Sequence, residues 1–348
     1  MNSFTSDNIA GASPEIIEAI LNANVGQALP YGNDETSKRV EALFGELFEH
    51  PVQIFPVTTG TAANALCLAA LTKPWSAILG HRDSHINHDE CGAPEFFSSG
   101  AKLLAIGGEH AKIDAAQLEH ALTQKIGDVH TVQPSCVSIT QATEVGSIYS
   151  LDEIERIGTL CKQHGVGLHM DGARFANALA TLDCSPADMT WRAGVSLLSF
   201  GATKNGAVAA EAMVVFDPAL GAELAFRHKR AGQLMSKMRF CTAQLEAYLR
   251  DDLWLRNARH ANAMALRLAC GLQASGVELT SRVEANIVFC KLPLAAIKSL
   301  LQAGFRFYHD RWEPGVVRFV TSFATQADDV DALLEATRQA VGHTLQVG

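Results

Sequence analysis

A lysine at the end of an apolar run is the first candidate for chemistry in this chain. The run Val195-Ser196-Leu197-Leu198-Ser199-Phe200 reads as a buried strand that stops at a small, glycine-flanked turn, Gly201-Ala202-Thr203-Lys204-Asn205-Gly206. Lysine is almost never fully buried unless it is paired. Held at a strand end by small neighbours, it can form a Schiff base with a carbonyl compound. Taken alone, Lys204 reads as a surface lysine. Two upstream features change that. Asp171 ends a second apolar run, Val166-Gly167-Leu168-His169-Met170, 33 residues before the lysine, a distance that suits one strand–helix–strand step. It could equally cap a helix starting at Ala173. The third feature is the turn Thr58-Thr59-Gly60-Thr61-Ala62-Ala63-Asn64 after the run Val52–Val57. There Gly60 lets backbone N–H groups approach an anion, the Thr61 hydroxyl can cap a helix or bond phosphate, and the helix N-terminus favours negative charge.

A phosphate cradle at Gly60 and Thr61, an aspartate for a ring nitrogen and a Schiff-base lysine are the three protein groups that pyridoxal phosphate needs. Their joint presence, in this order, points to that cofactor. No metal is expected: His81, His88 and Asp89 lie close together, but their spacing matches no zinc signature.

The elements that must position these groups alternate. Strands are expected at Val52–Val57, Ala77–Gly80, Lys102–Ile106, Cys136–Thr140, Val166–Met170, Val195–Phe200 and Ala212–Phe216. Helices are expected between them, such as Asp114–Lys125 and Leu151–His164 after a Ser150 cap. That alternation predicts an α/β fold with a mostly parallel sheet covered by helices on both faces. Such sheets bind ligands at the carboxyl ends of their strands, where all three features fall. After Pro218 the pattern changes to long helices over Glu223–Leu249 and Leu253–Ser275, then a short α+β tail. The tail has strands at Asn286–Leu292 and Val316–Val320 and helices at Leu294–Ala303 and Asp328–Val341. This divides the chain into an N-terminal arm with a large domain, 1–248, and a small C-terminal domain, 249–348. The arm before Pro14 is too polar for a core strand.

At 348 residues the chain is long enough for both domains, and 48% apolar residues suit a well-filled core. With 28 basic against 37 acidic residues, the net charge of −9 argues against a nucleic-acid or anionic-membrane surface. The start, Met1-Asn2-Ser3-Phe4-Thr5-Ser6, is polar and unlike a signal peptide, and no apolar run is long enough to span a bilayer. Eight cysteines occur singly, without C-x-x-C pairs, and read as thiols in a reducing cytoplasm.

The chain resembles the L-threonine aldolases of low specificity, members of the fold type I (aspartate-aminotransferase-like) pyridoxal-phosphate enzymes. The matching segments are Thr5-Ser6-Asp7-Asn8, Tyr31-Gly32-Asn33-Asp34, Thr59-Gly60-Thr61-Ala62-Ala63-Asn64, His85 to Ala93 with Glu90-Cys91-Gly92, His169-Met170-Asp171-Gly172-Ala173-Arg174 and Val317-Arg318-Phe319-Val320-Thr321. They spread over nearly the whole chain. The His85–Ala93 and His169–Arg174 segments are the specific ones, whereas the Thr-Gly-Thr turn is generic. The sequence departs from the commoner pattern in three places. Gln141-Ala142-Thr143-Glu144-Val145-Gly146 stands where many members carry Asn-Thr-His, Lys204 is followed by Asn205-Gly206, and Gly232-Gln233-Leu234-Met235-Ser236-Lys237 replaces a glycine triplet.

The resemblance implies retro-aldol cleavage of L-threonine, L-allo-threonine and related β-hydroxy-α-amino acids to glycine and an aldehyde. It implies that His85 stacks on the cofactor ring, and that either His85, as a near-neutral pKa allows, or a bound water takes the β-hydroxyl proton. For His130 it suggests a place near the substrate side chain, evenly balanced against no role. Arg174, Arg318 and Ser6 would hold the substrate carboxylate, and Tyr31 would line the site from a partner chain. Glu90 would hold a neighbouring group. Lys229, Arg230 and Lys237 are a phosphate-reaching stretch or a solvated helix face, with nothing to separate the two. A homo-oligomer, dimer or tetramer, is implied as well. The rival readings are another fold type I lyase, an aminotransferase, or a protein that binds the cofactor without turnover.

Overall fold

Residues 3–347 are described by the computed structural model; Met1 and Asn2 of the polar start, and Gly348 at the far end of the small domain, lie outside them. The central sheet has seven strands: β1 (Gln53–Val57), β2 (Ser76–His81), β3 (Lys102–Ile106), β4 (Gln133–Thr140), β5 (Gly167–Gly172), β6 (Leu197–Gly201) and β7 (Glu211–Val215). Their order is β1-β7-β6-β5-β4-β2-β3. The pairs from β6 through β3 are parallel, and only β7 runs against its neighbours β1 and β6. Strands β2, β6 and β7 are buried at every position, as continuous apolar runs sandwiched between helices must be.

This topology brings the carboxyl ends of β1, β2, β4, β5 and β6 and the first residue of β7 to one rim. Register fixes who meets whom there: Asp171 pairs with Thr140 on one side and Ser199 on the other, and Glu211 with Gly201 and Val57. The helices that cover the sheet start where capping chemistry says they should. Ser150 and Glu153 form a reciprocal capping box on the helix Leu151–His164, and Thr59 caps the helix Gly60–Ala70 through the Ala62 amide.

The single helix expected over Glu223–Leu249 is two, Gly221–Arg230 and Arg239–Leu249. Gly232, at φ +73°, follows the first of them and stops it in the manner of a helix-terminating glycine. The freed loop is put to use: the Gln233 side-chain oxygen accepts the Thr58 amide and hydroxyl, both at 3.2 Å, and so ties the loop to the Thr58–Thr61 turn.

A second core forms around a four-stranded antiparallel sheet, ordered β10 (Tyr308–His309), β11 (Val316–Val320), β9 (Ile287–Lys291), β8 (Glu278–Leu279). The helices Leu253–Ala274 and Leu294–Gln302 contribute Leu268, Leu272, Ile297 and Leu300 to it. The polar arm also enters it, at one residue. Phe4 is buried edge-on against Phe319, and its backbone bonds Arg306 and Val320. Polarity along the arm hides this, because a single aromatic anchor has no periodicity.

Candidate active site

Five of the expected residues line one cavity of about 500 Å³: Gly60, Thr61, His85, Asp171 and Lys204, together with Asn8, Thr58, Thr59, Asn64, Thr203 and Glu211. That volume suits a small-molecule site. The Thr59 hydroxyl accepts the Ala62 amide, which leaves the Gly60 and Thr61 amides at the helix N-terminus without an intrahelical partner. Free amides and the dipole of an eleven-residue helix make this end of the cavity an anion seat.

Asp171 is only 2% exposed. Its Oδ1 accepts the Ala173 amide at 3.0 Å and its Oδ2 accepts Asn64 Nδ2 at 2.9 Å. The carboxylate thus does bond ahead toward Ala173, yet it also faces the cavity, and the helix Phe175–Leu182 begins only after Arg174. Asn64 donates a second time, to Glu90 Oε1 at 2.8 Å, and the same oxygen meets His85 Nδ1 at 2.9 Å. A chain of contacts therefore runs from His85 through Glu90 and Asn64 to Asp171. The bond to Glu90 raises the His85 pKa above its ordinary value, with burial opposing. Burial pushes the Glu90 carboxyl up, and His85 and Asn64 draw it back.

Lys204 stands on a short 3-10 turn, Thr203–Asn205, directly after β6. Gly206 closes the turn at φ +118°, and a Cβ there would meet Ser13 Oγ at 2.4 Å and Asn257 Nδ2 at 2.8 Å. Only glycine fits both the conformation and the space. Asn205 anchors the turn from beneath, donating to Tyr248 Oη and the Trp254 carbonyl.

The arginines gather beside the cavity. Arg174 is buried and forks onto Asp7, Nε to Oδ2 at 2.8 Å and Nη2 to Oδ1 at 3.2 Å. Its guanidinium, expected to meet a substrate carboxylate, is held by an internal one. Arg318 keeps its buried Nε without a partner among the described residues, bonds the Thr5 carbonyl only at 3.4 Å, and lies over the rings of Tyr308 and Trp312. Burial, then the nearby Arg174 charge, pulls its pKa down. Ser6 caps the short turn Asp7–Ile9 through the Asn8 amide and lines a neighbouring depression instead of the cavity.

The chain does not bring Tyr31 or His130 into this cavity. Tyr31 lines a separate depression with His228 and Met238 and carries Lys229 Nζ 4.7 Å over its ring. His130 is exposed just before β4 begins, at the opposite end of that strand from the rim, so its own chain cannot deliver it to the site. His88 and Asp89 are exposed, and His81 is buried against the Gly108 carbonyl. Among the described residues no group of three or more His, Cys, Asp or Glu is placed to hold a metal ion.

Four residues that the sequence reading left without a role shape the site: Asp7, Asn64, Gln233 and Glu211. Asp7 and Asn64 stand inside matching segments, but Asp7 meets its partner Arg174 across 167 positions. No local pattern announces such a pairing. Glu211 sits at the head of an otherwise apolar strand, and that exception was its visible signal.

The sequence profile of the beta-eliminating lyases matches residues 3–294. A low specificity L-threonine aldolase of Pseudomonas aeruginosa is 45% identical over 97% of this chain and 98% of its own length. The fold matches a threonine aldolase of Leishmania major with a TM-score of 0.92, at 31% identity over 97% of this chain and 99% of that one. An aspartate aminotransferase of Thermus thermophilus, at 14% identity, a TM-score of 0.69 and coverage of 97% and 91%, shares the fold alone. The architecture is thus that of the fold type I pyridoxal-phosphate enzymes. The chain belongs to the beta-eliminating lyase family, in its threonine aldolase group.

Proposed function

We propose that this protein is a pyridoxal-phosphate-dependent carbon–carbon lyase that cleaves L-threonine, L-allo-threonine and related β-hydroxy-α-amino acids to glycine and an aldehyde. The carrying observation is that Lys204 and Asp171 face one cavity that ends at the Thr59–Thr61 turn. The residues suit that cofactor. The free amides at Gly60 and Thr61 would hold its phosphate, the buried Asp171 carboxylate its ring nitrogen, and the Lys204 amine its aldehyde carbon. When bound, the cofactor supplies a ring that accepts the electrons of the breaking Cα–Cβ bond.

The remaining work falls to side chains. Asn64 fixes the orientation of Asp171 and, through Glu90, that of His85. Arg318, with a free buried Nε, is the guanidinium open to a substrate carboxylate, while Arg174 holds the Asp7 arm in place beside it. His85 Nδ1 is engaged by Glu90, so Nε2 is the nitrogen that receives the β-hydroxyl proton.

The finer features belong to the same reading. The chain divides into an N-terminal arm with the large domain, 1–248, and the small domain, 249–348. A homo-oligomer, dimer or tetramer, is supported by a group of exposed apolar residues, Ile17 and Leu21 on the helix Pro14–Ala23 and Val25 and Leu29 in the segment that follows it. Only within such an assembly do Tyr31 and His130 acquire a place at a site, that of a partner copy. Eight free thiols, five of them buried, suit a reducing cytoplasm. Among the described residues no helix is long and apolar enough to cross a membrane.

Replacing Lys204 with alanine tests the reading. Turnover of L-threonine and the visible absorbance of the cofactor–lysine adduct are both expected to vanish, and retention of both contradicts it.

A further inference from the structure

Glu211 opens β7 between β1 and β6 and is 7% exposed. Its Oε2 accepts the Ala202 amide at 2.8 Å, and Thr203 also bonds the carboxyl. These are the two residues that precede Lys204, so the carboxyl grips the turn on which the lysine stands. The same carboxyl lines the cavity with Lys204. A buried carboxylate is costly unless a compensating charge is near. The titratable groups that face it are Lys204 from the turn, and Cys241 and Tyr248 from the helix Arg239–Leu249. Of these only lysine offers a positive charge. Burial pushes Glu211 up to about 7, with its hydrogen bonds and Lys204 drawing it back, and Asp7 of the arm and His85 also face Lys204.

We infer that Glu211 is a positioning residue for Lys204: a buried counter-charge that favours a proton on the lysine nitrogen and thereby sets the pH at which that nitrogen is free to act. The inference rests on Lys204 being the cofactor lysine. As a carboxylate, Glu211 stabilises the protonated nitrogen; as a neutral acid it does not. Holding Ala202 and Thr203 also keeps the nitrogen at a fixed distance from that charge.

A pH titration of the visible absorbance of the cofactor-loaded enzyme reads the protonation of the Lys204 nitrogen directly. Glu211→Gln keeps an acceptor for the Ala202 amide but removes the charge, and its midpoint is expected to fall by about one pH unit, the low end of what a nearby opposite charge does. Glu211→Asp keeps the charge but withdraws it by one methylene, and its midpoint is expected between the other two. This variant decides the matter if the glutamine form does not fold. A midpoint equal to that of the parent in either variant, with only thermal stability lowered, overturns the inference and leaves Glu211 a structural residue. An absorbance band that survives Lys204→Ala would instead overturn the functional reading; a Lys204-dependent band with an unmoved midpoint overturns only the role of Glu211.

Discussion

Arg174 and Asp7 form a buried, two-pronged ion pair, with Nε–Oδ2 at 2.8 Å and Nη2–Oδ1 at 3.2 Å, between the end of β5 and the N-terminal arm. It ties the arm to the rim, where Asn8, Ala10, Gly11 and Ala12 wall the cavity. Burial raises the Asp7 carboxyl, but Arg174, Lys204 and Asn286 more than offset this and hold it below the usual carboxylate range. Removing one partner strands the other charge. Asp7→Ala should destabilise the fold by about 3–5 kcal/mol, read by denaturant unfolding. Because the folded-state pKa is depressed, the stabilisation is present above the ordinary carboxylate value and fades as pH falls through the folded one. The alanine variant should therefore lose stability less steeply in acid than the parent does.

Arg318 is the guanidinium whose buried Nε has no partner among the described residues, and it lies over the rings of Tyr308 and Trp312. A lysine there keeps the charge but not the planar fork. Arg318→Lys should raise KM for L-threonine by about tenfold or more, in line with a lost charged hydrogen bond, while changing kcat less. Steady-state kinetics decide it, and an unchanged KM would place the carboxylate elsewhere.

His85 must be neutral to take a proton, and its bond to Glu90 raises its pKa. Activity should therefore rise with pH through a midpoint above the ordinary histidine value near 6.5. Glu90→Gln removes the carboxylate whose hydrogen bond raises it, so the acid limb of kcat/KM should move to lower pH by about one unit. A limb that stays in place would assign it to another group.

Much of this was legible in the sequence because the informative signals were local. Lys204, Asp171 and Gly60–Thr61 each follow an apolar run, and strand ends in a parallel sheet share a rim. The start of the helix Leu151–His164 is legible because Ser150 is a capping residue placed directly before it, and the structure adds Glu153 as the other half of a capping box. What escaped is what depends on distant partners. Asp7 answers Arg174, Gln233 answers Thr58, and Asn64 joins Glu90, 26 positions on, to Asp171, 107 positions on. The break at Gly232 was signalled by a glycine but masked by the helix-forming residues on both sides. Glu211 stands out in the sequence only as a lone acid at the head of an apolar strand, and it is the antiparallel insertion of β7 between β1 and β6 that buries it.

The central claim is cleavage of the Cα–Cβ bond of a β-hydroxy amino acid. Incubating the cofactor-loaded protein with L-threonine, and separately with L-allo-threonine, while measuring acetaldehyde and glycine tests it most directly. The account predicts the two products in equal amounts, and their loss on Lys204→Ala. No acetaldehyde from either substrate, with an absorbance change on adding amino acid, would contradict it and assign the same site to a different reaction of the same cofactor.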